Sequence, residues 1–438
     1  MKEDRVMVIG GGLAGCEAAF ALANCGIPVD LYEMRPHRQT PAHKTGLLGE
    51  LVCSNSLKSE DIGTAQGVLK QEMRRIGSII LEIADRCRVP AGSALAVDRH
   101  LLGSYLTETI SNHPLIQVIN EEVRDLPDSR LTVVASGPLT SDALSESLIE
   151  LTGQEHLFFF DAVAPILDAG SIDMAKVYWG SRYGKGESDY LNCPLSEEEY
   201  DRFYQELINA DSLPVTEVDQ GLYFSACTPI EVMARKGRDT LRFGPMRPVG
   251  LPDPRNDKVP YAVVQLRNEN REGTMVSPVG FQTRMKWGEQ ERVLRLIPGL
   301  ENAKFLRLGV MHRNTYINSP QLLNTALQFK DRPNLFFAGQ IIGVEGYMES
   351  AATGIIAGIN AGRRCLGSEL ATVPEDTMLG SLINYVCDPQ QERFQPMNAN
   401  FGLLPPLGIK VRKRADRKLQ LAKRSELKIR EFSEIFVN

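Results

Sequence analysis

Residues 6–33 read VMVIGGGLAGCEAAFALANCGIPVDLYE, and their spacing leaves little freedom in what they can fold into. A short apolar run, Val6–Ile9, ends at Gly10. CEAAFALANCG follows, rich in helix formers and closed by Gly26, a natural helix end. A second apolar run, Val29–Tyr32, stops at Glu33. Strand, G-x-G-x-x-G, helix, strand and acid within about 30 residues form the dinucleotide-binding fingerprint. Gly10 permits the tight turn, Gly12 lets a pyrophosphate approach the backbone, and Gly15 lets the helix pack on the sheet. Gly11, Leu13 and Ala14 complete the loop that turns the helix N-terminus toward the phosphates. Glu33 is expected to accept hydrogen bonds from the adenosine ribose. A glycine-rich turn in some other α/β protein is the alternative, and the complete context disfavours it.

The far end of the chain bears on which dinucleotide binds. Residues 335–362 read LFFAGQIIGVEGYMESAATGIIAGINAG. An apolar strand ends at Gly339, and a glycine-punctuated loop through Gly346 and Tyr347 leads to a small-residue helix from about Glu349. This is a second place to hold negative charge. Flavoproteins of the two-dinucleotide-fold type are similar, with a C-terminal segment that returns to the N-terminal sheet and closes over the flavin. LTVVASG at 131–137 looks like the strand and small-residue turn that such proteins carry midway. The competing reading is a plain glycine-rich helix-packing surface. FAD is the expected cofactor, with Tyr347 in the turn over the flavin, either stacking on it or serving as an ordinary aromatic plug.

The 438 residues allow about three domain-sized units. The expected architecture is α/β: a Rossmann-like FAD-binding domain that begins with residues 1–145, an inserted α+β domain at 146–300, and the remainder of the FAD domain at 301–438. Within the insert, FFFDAVAPI and KVYWGSRYGKG look like strands. SEEEYDRFYQELINAD has helical periodicity, with Ser196 as N-cap and Tyr200, Phe203, Tyr204 and Leu207 on one face. VPYAVVQLRNENREGTMVSPVGFQT reads as two strands joined by a polar turn. MKEDR leads straight into the first strand, so no signal peptide is expected, and no apolar run approaches the roughly 20 residues that span a membrane. A cytoplasmic setting is expected.

Charge is unevenly spread. Lys410–Arg430 holds ten Lys/Arg against Asp416 and Glu426, a net +8 that leaves −14 on the rest of a chain totalling −6. A basic helical end on an acidic body suggests a polyanion partner. Leu419, Leu421, Leu427 and Ile429 are expected to pack that helix down, and a solvated helix face is the alternative.

None of the eight cysteines forms a CxxC pair or a zinc-finger spacing with histidine, so no metal site is expected. A generic flavin disulfide reductase would want such a pair. Two thiols stand in turn settings instead. Cys53 lies in ELVCSNSLKS, where Ser54 or Asn55 is expected to cap a helix over LKSEDI. Cys227 lies in YFSACTPIEVMA, where Pro229 can start a helix. A thiol just before a helix N-terminus has its thiolate stabilised, whereas a single cysteine is most often inert and buried.

Together, GGGLAGCEAA, LYEMRP, ELVCSNSLKS, YFSACTPIEVMA, LRFGPMRPVGL and FAGQIIGVEGYMESAATG resemble the folate- and FAD-dependent tRNA (uracil-5-)-methyltransferases. The likeness runs from the first strand to beyond residue 360, and the larger GidA-type tRNA-modifying flavoproteins are similar more distantly. The resemblance implies methylation of C5 of the T-loop uridine, position 54, of tRNA. 5,10-Methylenetetrahydrofolate would be the carbon donor, and FAD, reduced by NADH or NADPH, the reductant. It implies Cys227 as the nucleophile at uracil C6 and Cys53 as assisting thiol or base, with the reverse assignment open. No membrane or protein partner is implied. A GidA-like change at another tRNA uridine, and a non-catalytic flavin-bearing RNA-binding protein, are the rivals.

Overall fold

The computed structural model describes residues 5–40, 42–153, 157–184, 188–213, 228–391 and 394–436. β1 (Val6–Ile9) runs into α1 (Leu13–Asn24) and returns as β2 (Val29–Tyr32). β1 pairs in parallel with β2 on one side and with Thr132–Val134 on the other. Leu335–Phe337 and Ile116–Ile119 complete a five-stranded parallel sheet, in the order 335–337, 132–134, β1, β2, 116–119. The strand near the end of the chain thus joins the N-terminal sheet through Thr132–Val134, the segment whose LTVVASG pattern predicts a strand.

A second, antiparallel sheet has six strands. Their order is Tyr178–Trp179, Tyr190–Leu195, Ala262–Asn268, Met275–Pro278, Ile166–Asp168, Phe305–Arg307. The helix Glu197–Asn209 packs on it through buried Tyr200, Phe203 and Leu207, and Ser196 and Glu199 close a reciprocal capping box at its start. The chain leaves the first unit along Leu157–Ala162 and comes back along Met311–Tyr316. These two strands pair antiparallel, so exit and re-entry form one ribbon. Among the described residues no helix is long and apolar enough to cross a membrane.

The small residues of the helix Tyr347–Cys365 explain its place. A Cβ on Gly354 would lie 2.2 Å from the Ala14 carbonyl oxygen, and one on Gly358 2.5 Å from that of Ala18. The helix therefore lies directly on α1, and only glycine admits that approach. The packing reading of these glycines is correct for the helix, while Gly339 and Gly346 stand outside it, in the loop.

The C-terminal helix, Arg414–Phe436, packs on the helix Ala65–Arg75. Leu421 and Ile429 are buried as expected, but Leu419 and Leu427 are exposed. The buried stripe follows 3.6-residue spacing through Leu421, Ser425, Ile429 and Phe432, and Leu419 and Leu427 fall off it. Ser425 sits on that stripe because its hydroxyl donates to buried Glu72, whose carboxylate also accepts from the Met378 and Leu379 N–H groups at 2.7 and 2.8 Å. One carboxylate thus caps the helix Met378–Cys387 and ties three helices together. Replacing Glu72 by Ala orphans these donors, and the expected loss is about 3 kcal/mol by urea unfolding. A loss below about 1 kcal/mol would show that the capping role is minor.

Candidate active site

Two clefts meet beside the parallel sheet. The first, of about 1050 Å³, lies where strands and turns end at Ile9, Tyr32 and Ala135. Gly10, Gly12, Leu13, Ala14, Glu33, Gly339 and Tyr347 line it. Gly11 and Gly15 stand behind it: a Cβ on Gly11 would meet Leu48 and Glu33, and one on Gly15 would lie 1.8 Å from the Gly10 carbonyl oxygen. Gly10 itself has φ +104°, with Ala135 against its Cα. At Gly12 an added Cβ meets nothing within 4 Å, and no side chain caps α1. The first N–H groups of α1 are therefore left to a ligand, which fits the pyrophosphate of FAD.

Glu33 is buried and its oxygens are fully engaged. They accept from Gly11 N at 2.9 Å and from Arg35 through its backbone N, Nε and Nη2 at 2.9–3.0 Å. Burial opposes its charge, but the Arg35 guanidinium and these bonds hold the carboxyl below the usual range. Arg35, which the fingerprint does not name, also reaches Glu50 at 3.3 Å. A ribose hydroxyl must share the Glu33 oxygens with it.

The second cleft, of about 1060 Å³, shares Val52, Pro138, Leu139, Gln340 and Tyr347 with the first. Cys53 is in its wall, half-buried, as are Gly346 and the ion pair of Lys58 with buried Glu349 at 3.4 Å. Tyr347 begins its helix at the boundary of the two clefts. Its Oη accepts a 2.7 Å bond from the Cys53 backbone N–H.

The Cys53 loop is built differently from the expectation. No helix follows it: Ser56–Ser59 is a strand, antiparallel to Ala94–Val97, and the next helix begins at Ala65 with Thr64 as its cap. Asn55 caps nothing. Its fully buried amide donates to the carbonyls of Val97 and Asn268, both at 2.9 Å, and its oxygen accepts from Arg267 Nε at 2.7 Å. Those bonds staple the loop to the strand Ala94–Val97 and to the six-stranded sheet, and forbid the helix. The electrostatic support for Cys53 therefore comes from side chains. Arg99 Nη1 donates to the Leu51 carbonyl at 3.2 Å, and Arg307 Nη2 to that of Val52 at 2.9 Å. Both guanidiniums interact with Cys53 and Tyr347. Neither arginine carries a sequence signal, because each lies in an otherwise ordinary helix start or strand end.

The other described thiols differ from half-buried Cys53 in exposure. Cys16, Cys87, Cys193 and Cys387 are buried, and burial pushes their pKa up, to about 11 at Cys87 and about 12 at Cys387. Cys25 and Cys365 are exposed, away from either cleft. Cys227 lies outside the described residues. The chain on either side of 214–227 is fastened to one segment: Leu213 N–H donates to Arg284 O at 2.9 Å, and Ile230 N–H to Gln282 O at 2.8 Å. Gln282 lines the Cys53 cleft. Pro229 does start a helix, Ile230–Ala234.

The Glucose inhibited division protein A family matches residues 5–369. A protein of Syntrophomonas wolfei, the methylenetetrahydrofolate–tRNA-(uracil-5-)-methyltransferase TrmFO, is 58% identical over 434 residues, covering 99% of this chain and 100% of its own. TrmFO of Bacillus subtilis is 55% identical over 425 residues, covering 97% of this chain and 98% of its own. The chain belongs to the TrmFO family. The GidA fold underlies TrmFO as well: Aquifex aeolicus GidA superposes with a TM-score of 0.73 at 19% identity. That superposition covers 99% of this chain and 76% of the GidA chain.

Proposed function

We propose that this chain methylates C5 of the T-loop uridine, position 54, of tRNA, with 5,10-methylenetetrahydrofolate as carbon donor. The observation that carries the reading is the Cys53 cleft, which opens onto the dinucleotide cleft across Tyr347. Uracil C5 is a poor nucleophile until a thiolate adds to C6 and makes it enolate-like. A base must then remove the C5 proton after the methylene is attached. FAD, when bound and reduced by NADH or NADPH, supplies the two electrons that turn the methylene into a methyl group.

The chain's own residues do the rest. Gly10, Gly12, Leu13 and Ala14 hold the cofactor's phosphates, with Gly11 and Gly15 shaping the turn, and Glu33 with Arg35 holds its ribose. Gly339 and Gly346 give the backbone its turns over the flavin, and the Tyr347 ring separates cofactor from thiol. Cys227 attacks C6 and Cys53 manages the C5 proton, or the two exchange tasks. Ile230, three residues after Cys227 in the sequence, bonds to Gln282, which lines the Cys53 cleft. The uridine flips out of the folded T-loop to reach it.

Exposed Arg412, Lys413, Arg414 and Arg417 at the start of the C-terminal helix suit the RNA backbone. Changing all four to Ala is expected to weaken tRNA binding and flatten the dependence of log K on log salt by roughly 3. An unchanged slope in a filter-binding titration would remove this helix from the interface.

The test of the reaction is incubation of FAD-loaded protein with unmodified tRNA, NADPH and labelled methylenetetrahydrofolate, followed by nucleoside analysis. Label in the 5-methyl of a T-loop uridine is expected. FAD-loaded protein that yields no 5-methyluridine would sink the reading.

A further inference from the structure

We propose that Arg99 and Arg307 are positioning residues that grip the Cys53 loop from two sides and keep its thiol ionised. The inference rests on the reading that Cys53 is a reacting thiol: attack and proton removal both require the thiolate.

Geometry carries it first. Arg99 heads the helix Arg99–Ser111 in the first unit, and Arg307 ends a strand of the second. They converge on consecutive carbonyls, Leu51 and Val52, just ahead of Cys53. On the other side the Tyr347 hydroxyl takes the Cys53 N–H, so the thiol sits on a backbone held at both ends.

Charge carries it further. Arg99 has a partner, since its Nη2 pairs with buried Glu269, a residue that also accepts from Ser277 Oγ at 2.5 Å. Arg307 has no carboxylate partner among the described residues; its hydrogen bonds go to the carbonyls of Val52 and Ala42. Among the described residues, the buried Nε atoms of both arginines have no hydrogen-bond partner. A largely desolvated guanidinium beside a second one is costly unless an anion offsets it. Among the described residues, Arg307 interacts electrostatically with Arg99, Tyr347, Glu50 and Cys53. Glu50 is already committed to Lys44 N, to Thr45 N and Oγ1, and to Arg35. Lys58 and Glu349, across the cleft, form a pair of their own. Cys53, whose Sγ lies 3.9 Å from the Ala162 carbonyl oxygen, interacts with Arg307 as well, and its thiolate would offset that charge.

A cation beside a thiol favours the thiolate and lowers its pKa, so removing the cation raises it. The measurement is the pH dependence of iodoacetamide alkylation at Cys53 in the FAD-loaded protein, followed by peptide mass. The wild-type midpoint is expected below the free-thiol value of about 8.5. In Arg307→Gln it is expected to rise by about one pH unit or more, with Arg307→Lys restoring most of the difference. Methyl transfer by Arg307→Gln is expected to fall in kcat, to leave KM for tRNA nearly unchanged, and to recover as pH rises. A wild-type midpoint at or above the free-thiol value overturns the proposal without any variant. So does an Arg307→Gln protein that keeps its flavin and an unmoved midpoint. If Cys53→Ala protein still methylates tRNA, the reading of the thiol has failed, whereas a shifted midpoint would still establish the arginine effect.

Discussion

Cys53→Ala is expected to stop transfer of the methylene carbon to tRNA, by at least about 10⁴-fold, while FAD stays bound. Loss of a thiolate that bonds to, or moves a proton on, the reacting base leaves only binding and orientation, and removing one member of such a unit costs nearly as much as removing all of it. The variant is expected to fold. The Tyr347 bond goes to the Cys53 backbone N–H, which alanine keeps, and the Arg99 and Arg307 bonds go to carbonyls of Leu51 and Val52. Truncating a half-buried side chain at a cleft wall should change stability by no more than about 1 kcal/mol. The check is single-turnover transfer of label, beside the flavin absorbance and the thermal midpoint of the same preparation. Transfer within tenfold of wild type would remove Cys53 from the chemistry. A colourless or unfolded protein would instead mark it as structural.

The second large effect is expected at Gly15. A Cβ there would lie 1.8 Å from the Gly10 carbonyl oxygen, a backbone atom, and no rotamer can relieve that contact. Gly15→Ala must therefore push α1 away from β1, at an expected cost above about 4 kcal/mol and with loss of FAD. Gly12→Ala is the matched control. Its added Cβ meets no protein atom within 4 Å, so the protein is expected to unfold near the wild-type temperature yet bind FAD poorly, because the methyl faces the cleft. Thermal unfolding with and without added FAD separates the two. Gly15→Ala with a wild-type midpoint would mean that the turn tolerates what its geometry forbids.

These two experiments fall on either side of what the chain makes legible. The β1–α1–β2 unit could be read residue by residue, because a tight turn, an open helix N-terminus and a close helix–sheet contact are each set within about 30 residues. The helix Glu197–Asn209, with its Ser196 cap and buried aromatic face, was legible for the same reason. The Cys53 loop was not. SNSLKSEDI carries cap-like residues, and nothing local says that Asn55 will spend its amide on carbonyls of Val97 and Asn268 instead. The C-terminal helix shows the same limit on a smaller scale. Its basic character and Leu421 and Ile429 were legible, but Ser425 displaced Leu419 and Leu427 from the buried stripe because Glu72 waits on the neighbouring helix.

The sequence by itself determined the parallel α/β sheet, the phosphate-facing turn and the presence of a thiol outside any cysteine pair, since each depends on backbone geometry and spacing between near neighbours. The tertiary structure alone decided the surroundings of that thiol. Arg99, Arg307 and Tyr347 reach the Cys53 loop from elsewhere in the chain, Tyr347 from 294 residues away. A thiol's ionisation depends on charges within a few ångströms, whatever their distance in sequence, and only the folded packing of two helix starts and a strand end brings those groups together.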